Sequence, residues 1–258
     1  MISNYPELFH GTRDASYVVP VGKHFESLAR KWNLDYRQLD YAPYDGDDRS
    51  IAPNRHIIAE LCAQSGIKGP IHTRPYLSLT AEEKRLAAWA NGRIVIQSSG
   101  MGARHPMLNK QWYPEHFRQV VDHLRLDFDF IQLGSARDPS LIYTLDLRDK
   151  TTIRQAAALL YSARLYVGTV GFLMHLARAV DCPSVVIYGG REVPWQSGYV
   201  CNSNLYSTIP CAPCWRWNRR EFGRKCMEDI TVDDVVQAVK KLAERPREPL
   251  AVQTLVIE

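Results

Sequence analysis

No apolar run in the sequence approaches the ~18 residues that a membrane-crossing helix needs. The opening, MISNYPELFHGTRD, has neither a basic head nor an apolar stretch of the kind that leads a chain into secretion, so a cytoplasmic protein is expected. Neither sign of charge dominates: 32 Lys and Arg stand against 28 Asp and Glu, a net charge of +4, weaker than a dedicated nucleic-acid binder carries. Repeats and low-complexity tracts are absent. With 45% hydrophobic and 23% charged residues, the composition excludes disorder, collagen and coiled coil as the main architecture. No Walker sequence G-x-x-x-x-G-K-[ST] occurs, and no G-x-G-x-x-G follows a strand, which argues against a kinase, an ATPase and a standard dehydrogenase. Cysteine is sparse, six in 258 residues, and in a leaderless chain such cysteines point to metal or free thiols, not a disulfide framework.

What is present has an α/β rhythm. Tyr17–Val21 reads as a strand, His24–Lys31 as a helix, Arg37–Tyr41 as a second strand and Tyr41–Ser50 as an acidic, turn-rich loop. Asn54 resembles the cap of a helix over HIIAELCAQ, and Thr80 with Glu83 forms a capping-box pattern for a helix to Ala90. From residue 92 the alternation becomes regular. IVIQSSG is a strand, Pro114 starts a helix running to about Leu126, and FDFIQLG is a strand. TTIRQAAALLYSA, RLYVG, GFLMHLARAV and PSVVIYGG continue as helix, strand, helix and strand. A last helix spans Thr231–Glu244, and the proline-containing tail packs loosely or crosses back over the body. Alternation with short connections predicts a parallel sheet with right-handed crossovers. The boundary falls near residue 92: 1–91 as a reduced N-terminal unit short of strands, 92–245 as a complete α/β unit, and 246–258 as a tail.

Each strand of the second half ends in small or polar residues: Ser98-Ser99-Gly100, Gly134-Ser135, Gly168-Thr169-Val170-Gly171 and Gly189-Gly190. Ligands of open parallel sheets bind outside the carboxyl ends of the strands, and helix N-termini there favour anions. Four such turns suit a nucleotide or diphosphate, although every strand-to-helix connection uses similar residues. His175, four residues after Gly171, points either at a bound phosphate or sugar or into packing beside Met174 and Leu176.

Cys211-Ala-Pro-Cys214 is a C-x-x-C knuckle. Cys226 follows it after eleven residues, and Cys201 lies ten positions before Cys211. This spacing predicts a tetrathiolate metal finger over 201–226, iron or zinc, with free thiols or a Cys211/Cys214 redox pair as the alternative. Cys62 and Cys182 read as small buried hydrophobes. Arg216, Arg219, Arg220, Arg224 and Lys225 alternate with Trp215, Trp217 and Phe222. That pattern holds single-stranded nucleic acid or an anionic glycan, or is a solvated face over buried tryptophans.

Segments KQWYPEHF (110–117), QLGSARD (132–138), LDLRDKTTIRQAAALLYSARLYVGTVGFLMHLARAV (145–180) and VVIYGGREVPWQSGY (185–199) resemble the C-terminal half of the glycosyltransferase family 9 heptosyltransferases. The family pattern Lys-x-Trp-Pro stands here as Lys110-Gln-Trp112-Tyr-Pro114. Its Asp-Thr/Ser-Gly-x-x-His stands as Thr169-Val170-Gly171-Phe172-Leu173-Met174-His175, without the acidic residue and with one spacing changed. The resemblance is good over about 92–240 and weaker before it. It implies a GT-B fold, two Rossmann-like domains facing across a cleft, with the acceptor side in 1–91 and the donor side in 92–245. It implies inverting transfer of a sugar, plausibly heptose, from a nucleoside-diphosphate sugar such as ADP-heptose to a hydroxyl of an acceptor protein or glycan.

By position, the resemblance gives Lys110 the donor diphosphate and Thr169, Val170, Gly171 and Phe172 the backbone contacts to it. His175 lies near the phosphates or sugar, Ser99, Gly134 and Ser135 line the nucleotide side, and Gly190 and Arg191 the sugar side. Lysine, arginine and helix N-termini can stabilise a leaving diphosphate without a metal. The autotransporter-modifying members imply iron in a four-cysteine site. Other relatives place a cysteine near Arg219 or Arg220 where this chain has none, so Cys201 is expected to substitute. The family's first strand, glycine-rich loop and helix, which carry its general base, have no counterpart here. Met1 then reads as an internal or alternative start, or the chain as a shortened member. Asp14, Asp45, Asp47, Asp48 and His72 are loop residues of suitable chemistry for that base, and none is distinguished by sequence. A donor-binding relic without catalysis, and a nucleic-acid-binding or DNA-modifying protein using the finger, are the alternatives; association into a homo-oligomer fits any of the three.

Overall fold

Short apolar strands alternating with one-sided helices are satisfied when a sheet is buried on both faces. The computed structural model of the chain contains such a sheet; it describes residues 2–3, 5–10, 19–20, 25–33, 39–219, 223–246 and 248–258. The early elements are small: β1 (Ile2–Ser3), β2 (Val19–Pro20), α1 (Phe25–Lys31), α2 (Ile57–Gln64), β3 (Gly69–His72) and α3 (Ala81–Leu86). Then come β4 (Ile94–Ile96), α4 (Pro114–Leu124), β5 (Phe130–Gln132), β6 (Thr144–Asp146), α5 (Ile153–Ser162) and β7 (Leu165–Thr169). The chain continues through α6 (Phe172–Ala179), β8 (Ser184–Ile187), α7 (Pro194–Ser197), β9 (Ser203–Leu205), α8 (Lys225–Glu228), α9 (Val232–Ala243) and β10 (Thr254–Ile257).

Strands β4 to β9 form one parallel sheet in the order β6-β5-β4-β7-β8-β9. The chain starts in the middle, runs to one edge, returns and runs to the other. The reversal between β4 and β7 opens a crevice at their carboxyl ends. Side chains alternate between the two faces. Ile94, Ile96, Leu165, Val167, Val185 and Ile187 pack with Phe117, Val120 and Val121 of α4 and Val235, Val236 and Val239 of α9. Val95, Ile131, Tyr166 and Val186 pack with Ala157 and Leu160 of α5 and Met174 and Ala177 of α6. Cys182 joins that second layer fully buried, whereas Cys62 on α2 is half-buried.

Helix starts follow local chemistry. Thr80, Thr152 and Thr231 close capping boxes with Glu83, Gln155 and Asp234. The cap of α2 is His56, whose ring accepts the Ile58 N–H, and not Asn54. The α3 helix is short, giving way to a 3-10 turn at Ala88–Ala90. The edge strands β6 and β9, half-exposed, carry no continuous apolar run and are not distinguishable in the sequence pattern. Tail residues Thr254–Ile257 cross back and pair antiparallel with β3, Thr254 opposite His72. Of the expected strand at 37–41, residues 37–38 lie outside the described residues and Leu39–Tyr41 form no strand. Asp14 is likewise outside them. No helix among the described residues is long and apolar enough to cross a membrane.

Phe117 sits fully buried at the α4–α9 layer. Phe117→Ala should cost about 3–5 kcal/mol of unfolding free energy. Exposed Arg118→Ala on the same helix should stay within about 0.5 kcal/mol, both read by chemical denaturation.

Candidate functional site

A cleft of about 490 Å³ opens at the carboxyl ends of β4, β5 and β7, at the sheet's point of reversal. It gathers Lys110, Gly134, Ser135, Thr169, Val170, Gly171 and Phe172 from three separate stretches of the sequence. Two helices begin at its wall. The N-terminus of α5 is closed by its own Thr152 and Gln155. The N-terminus of α6 has Gly171 as its cap and no side-chain cap at all, leaving its first-turn N–H groups available. A Cβ at Gly171 would meet nothing within 4 Å, so the space in front of this helix end is open.

Asp138 builds the neighbouring wall. It is 2% exposed, accepts from Ser99 Oγ (2.9 Å) and from the Ser135 N–H (3.0 Å), and fills the place a Cβ of Gly134 would need. Gly134 has φ +135°, a conformation that glycine adopts readily. Ser99 therefore faces Asp138 and the Met101 N–H (2.9 Å), inside the turn and not on the cleft lining. Exposed Arg104 and His105, from the loop after β4, also line the cleft. Sequence reasoning did not single out Asp138, Arg104 or His105. For Asp138, the signal was a carboxylate four residues after a strand-ending glycine.

Lys110 ends a 3-10 turn, Leu108–Lys110, that is held on both sides. Trp112 is buried and donates from its indole to the Ile230 carbonyl (3.0 Å), while Gln111 accepts the Gly100 N–H (2.6 Å). The ammonium of Lys110 pairs with the Glu192 carboxylate, which is 1% exposed. Arg191 Nη1 lies 3.2 Å from the same oxygen, and Ser197 donates to the other at 2.5 Å. Arg191 also donates to Ser50 Oγ (2.9 Å) and lies over the Trp215 ring at 4.6 Å. Burial alone would push Glu192 towards its neutral form; the charges of Lys110 and Arg191 outweigh it and keep the carboxylate ionised. Gly190 and Arg191 thus stand beside the cleft, beneath the cysteine segment, and not on its lining.

His175 is not on the cleft lining. Its Nδ1 lies 2.6 Å from the Tyr199 hydroxyl, and burial pulls its pKa down to about 4, so it is neutral at pH 7. Beyond Tyr199 lies His56, whose Nε2 is 2.8 Å from the Gly198 carbonyl.

The cysteine segment follows the sequence expectation in part. Cys211, Cys214 and Cys226 are electrostatic neighbours, and burial raises the thiols of Cys214 and Cys226. The Cys226 sulfur sits where a Gly190 Cβ would be (2.6 Å). Cys201 does not join them. It precedes β9, at the amino edge of the sheet, beside Arg178 and Asp181, and its thiol contacts Asn202 Oδ1 at 3.6 Å. Cys211 follows β9, so that strand separates the two. Among the described residues no three His, Cys, Asp or Glu side chains converge as metal ligands, so the expected tetrathiolate does not fit this arrangement.

The basic and aromatic residues of this segment face the chain's own acidic loop. Asp47 pairs with Arg219 (2.7 Å) and Arg216 (3.8 Å), and Asp48 accepts the backbone N–H of Arg219 (2.6 Å) and Asn218 (2.9 Å). Trp217 packs on Tyr44, centroids 4.8 Å apart, and donates to Ser50 Oγ; Trp215 is buried. Arg224 lies over Tyr113 at 4.8 Å, and exposed Lys225 opens α8. Arg220 and Phe222 are outside the described residues. Asp45 lies 3.9 Å from Arg49, and His72 contacts Thr254 Oγ1 (3.1 Å) in the β3–β10 ladder. Asp45, Asp47, Asp48 and His72 therefore all lie in internal contacts.

A doubly wound parallel sheet with a cleft at its point of reversal defines an α/β protein of the Rossmann kind. A model of glycosyltransferase family 9 (heptosyltransferase) matches residues 58–221, and the chain belongs to this family. Among solved structures it is similar to the ADP-heptose LPS heptosyltransferase II of Escherichia coli, with TM-score 0.51 and 19% identity, covering 66% of this chain and 53% of that one. It is also similar to a family 9 glycosyl transferase of Veillonella parvula, with TM-score 0.61 and 14% identity over 92% and 85% of the two chains. A third is the iron-containing dodecameric glycosyltransferase TibC of enterotoxigenic E. coli, with TM-score 0.49 and 20% identity over 59% and 45%. The chain spans about half the length of the first of these. No curated protein matches the sequence.

Asp48 is somewhat buried, which raises its pKa, but the N–H groups of Arg219 and Asn218 hold it below the ordinary aspartate value. Its contribution is therefore complete above pH ~4 and fades as pH falls further. Asp48→Asn should cost on the order of 1 kcal/mol at pH 7 and speed proteolytic cleavage near 216–219, with the difference from wild type shrinking below pH ~4.

Proposed function

We propose that the cleft binds a nucleoside-diphosphate sugar and that the protein transfers the sugar to a hydroxyl of an acceptor protein or glycan with inversion. The observation that carries this is the uncapped N-terminus of α6, with open space at Gly171, on the same cleft as the Lys110 ammonium. An anion placed there meets N–H donors, the helix's positive end and a cation together. When the sugar leaves, negative charge builds on the diphosphate, and groups fixed in advance stabilise it without reorganising. Gly134 and Ser135 line the nucleoside side. Family membership and the similarity to the ADP-heptose LPS heptosyltransferase II of Escherichia coli support ADP-heptose as the donor. In this reading residues 1–91 form the acceptor side, 92–245 the donor side and 246–258 the tail, in the cytoplasm where nucleotide sugars are made.

The metal expectation is not carried forward, because Cys201 stands apart and no three ligands converge among the described residues. Nucleic acid is not part of this reading either, since Arg216, Arg219 and Trp217 are occupied by Asp47, Asp48 and Tyr44. The donor-binding relic is the second reading. Asp45, Asp47, Asp48 and His72 are all engaged, which favours binding without a general base.

Calorimetry with ADP, UDP and GDP tests the donor site. ADP should bind, and the other two more weakly. Lys110→Ala should cost on the order of 2 kcal/mol of binding. Gly171→Val is the sharper test. Its φ of 164° is ordinary extended backbone and its Cβ meets no atom, so thermal stability should hold while ADP binding is lost. No heat with any nucleotide would remove the reading. ADP binding without consumption of ADP-heptose would leave the relic.

A further inference from the structure

Glu192 is a carboxylate with no place in the proposed transfer, yet it is among the most enclosed charged groups of the protein, 1% exposed. Its two oxygens are filled by Lys110, Arg191 and Ser197. Arg191 is fixed from outside by Ser50 and Trp215 and faces away from the cleft lining. Lys110 is different: 17% of its side chain stays exposed and it lines the cleft. An ammonium has three N–H donors, and Glu192 is its partner among the described residues. Two cations on one carboxylate leave one positive charge in excess at the cleft wall.

We propose that Glu192 is a positioning residue: it holds Lys110 at the edge of the cleft, charged and with donors free, as the fixed cation that meets the donor diphosphate. This rests on the donor-cleft reading. The electrostatics around Lys110 make the role necessary. Burial and the neighbouring Arg191 pull the Lys110 ammonium below the usual lysine range, and Glu192 is the group that opposes them and limits the fall. The other titratable groups at the cluster are His175, which is neutral, and Tyr41 and Tyr188, both held protonated by burial. None can replace the carboxylate. An arginine does not give up its proton, so without Glu192 the lysine would.

The test is the pH profile of ADP binding together with amine acylation of Lys110 followed by peptide mass spectrometry. In wild type, ADP affinity should change by less than about threefold from pH 7 to 9, and Lys110 should resist acylation over that range. Glu192→Gln should bind ADP near the wild-type level at pH 7 and lose about tenfold or more by pH 9, with Lys110 becoming reactive in step. Glu192→Asp, which keeps the charge, should restore the flat profile. The pair Glu192→Gln with Lys110→Arg should also be flat, because guanidinium stays charged. A Glu192→Gln protein that melts lower but tracks wild type across pH would make Glu192 merely structural and overturn the proposal. Wild-type Lys110 that is already reactive at pH 7 would overturn it too, and this needs no variant to fold. If wild type binds no ADP while Glu192→Gln still unmasks Lys110, the donor reading falls and the assignment of Glu192 stands.

Discussion

The carboxyl edge of the sheet depends on one buried dipeptide, Arg191-Glu192, which follows β8. Ionic groups removed from water must be matched almost completely, or the fold loses several kcal/mol. Glu192 is matched by Lys110, Arg191 and Ser197, and Arg191 by Glu192, Ser50 and the face of Trp215. Those partners come from four regions: the loop ahead of α2, the turn ahead of α4, helix α7 and the cysteine segment. Their relative placement is therefore fixed by electrostatic demand and not by apolar packing alone. The same demand explains why the acidic loop at 45–50 and the basic segment at 216–219 meet in register, with the Ser50 N–H on the Trp215 carbonyl and the Trp217 N–H on the Asp48 carbonyl.

The cleft is the product of two unlike economies of hydrogen bonding. At α5 the capping box of Thr152 and Gln155 meets the backbone N–H groups of both residues internally. At α6, a few residues away in space, the cap is a glycine and the donors are left open. A glycine cap in place of serine or threonine costs only about a few tenths of a kcal/mol, and such a cap makes sense where a ligand completes the turn.

Much of this was legible in the sequence, for identifiable reasons. The capping box at Thr80 and the N-cap at Thr231 are local chemistry, and strands β4, β5, β7 and β8 are continuous apolar runs because they are covered on both faces. β6 and β9 escaped notice because an edge strand is half-wet and its composition is that of a loop. Cys201 was grouped with Cys211 by counting along the chain, whereas β9 lies between them. Glu192 was invisible: REVPW has no helical period and no motif spacing, and its meaning comes from Lys110, far away in sequence. His175 was weighed between ligand and packing, and its bond to Tyr199 belongs to the packing side.

The pairing of β3 with β10 has a consequence in time. Thr254 lies opposite His72, so a short strand near the beginning is completed by residues synthesised 182 positions later. Throughout that interval β3 is an open edge, with its N–H and C=O groups exposed to any extended segment nearby. Closing so long a loop carries an entropic cost that local contacts do not, and it ranks among the slower steps of assembly. The sheet from β4 to β9 can form meanwhile from neighbours in sequence. A nascent chain stalled ahead of residue 254 would already carry α9, which ends at Ala243 and covers one face of the parallel sheet, and would present that sheet next to an unpaired strand.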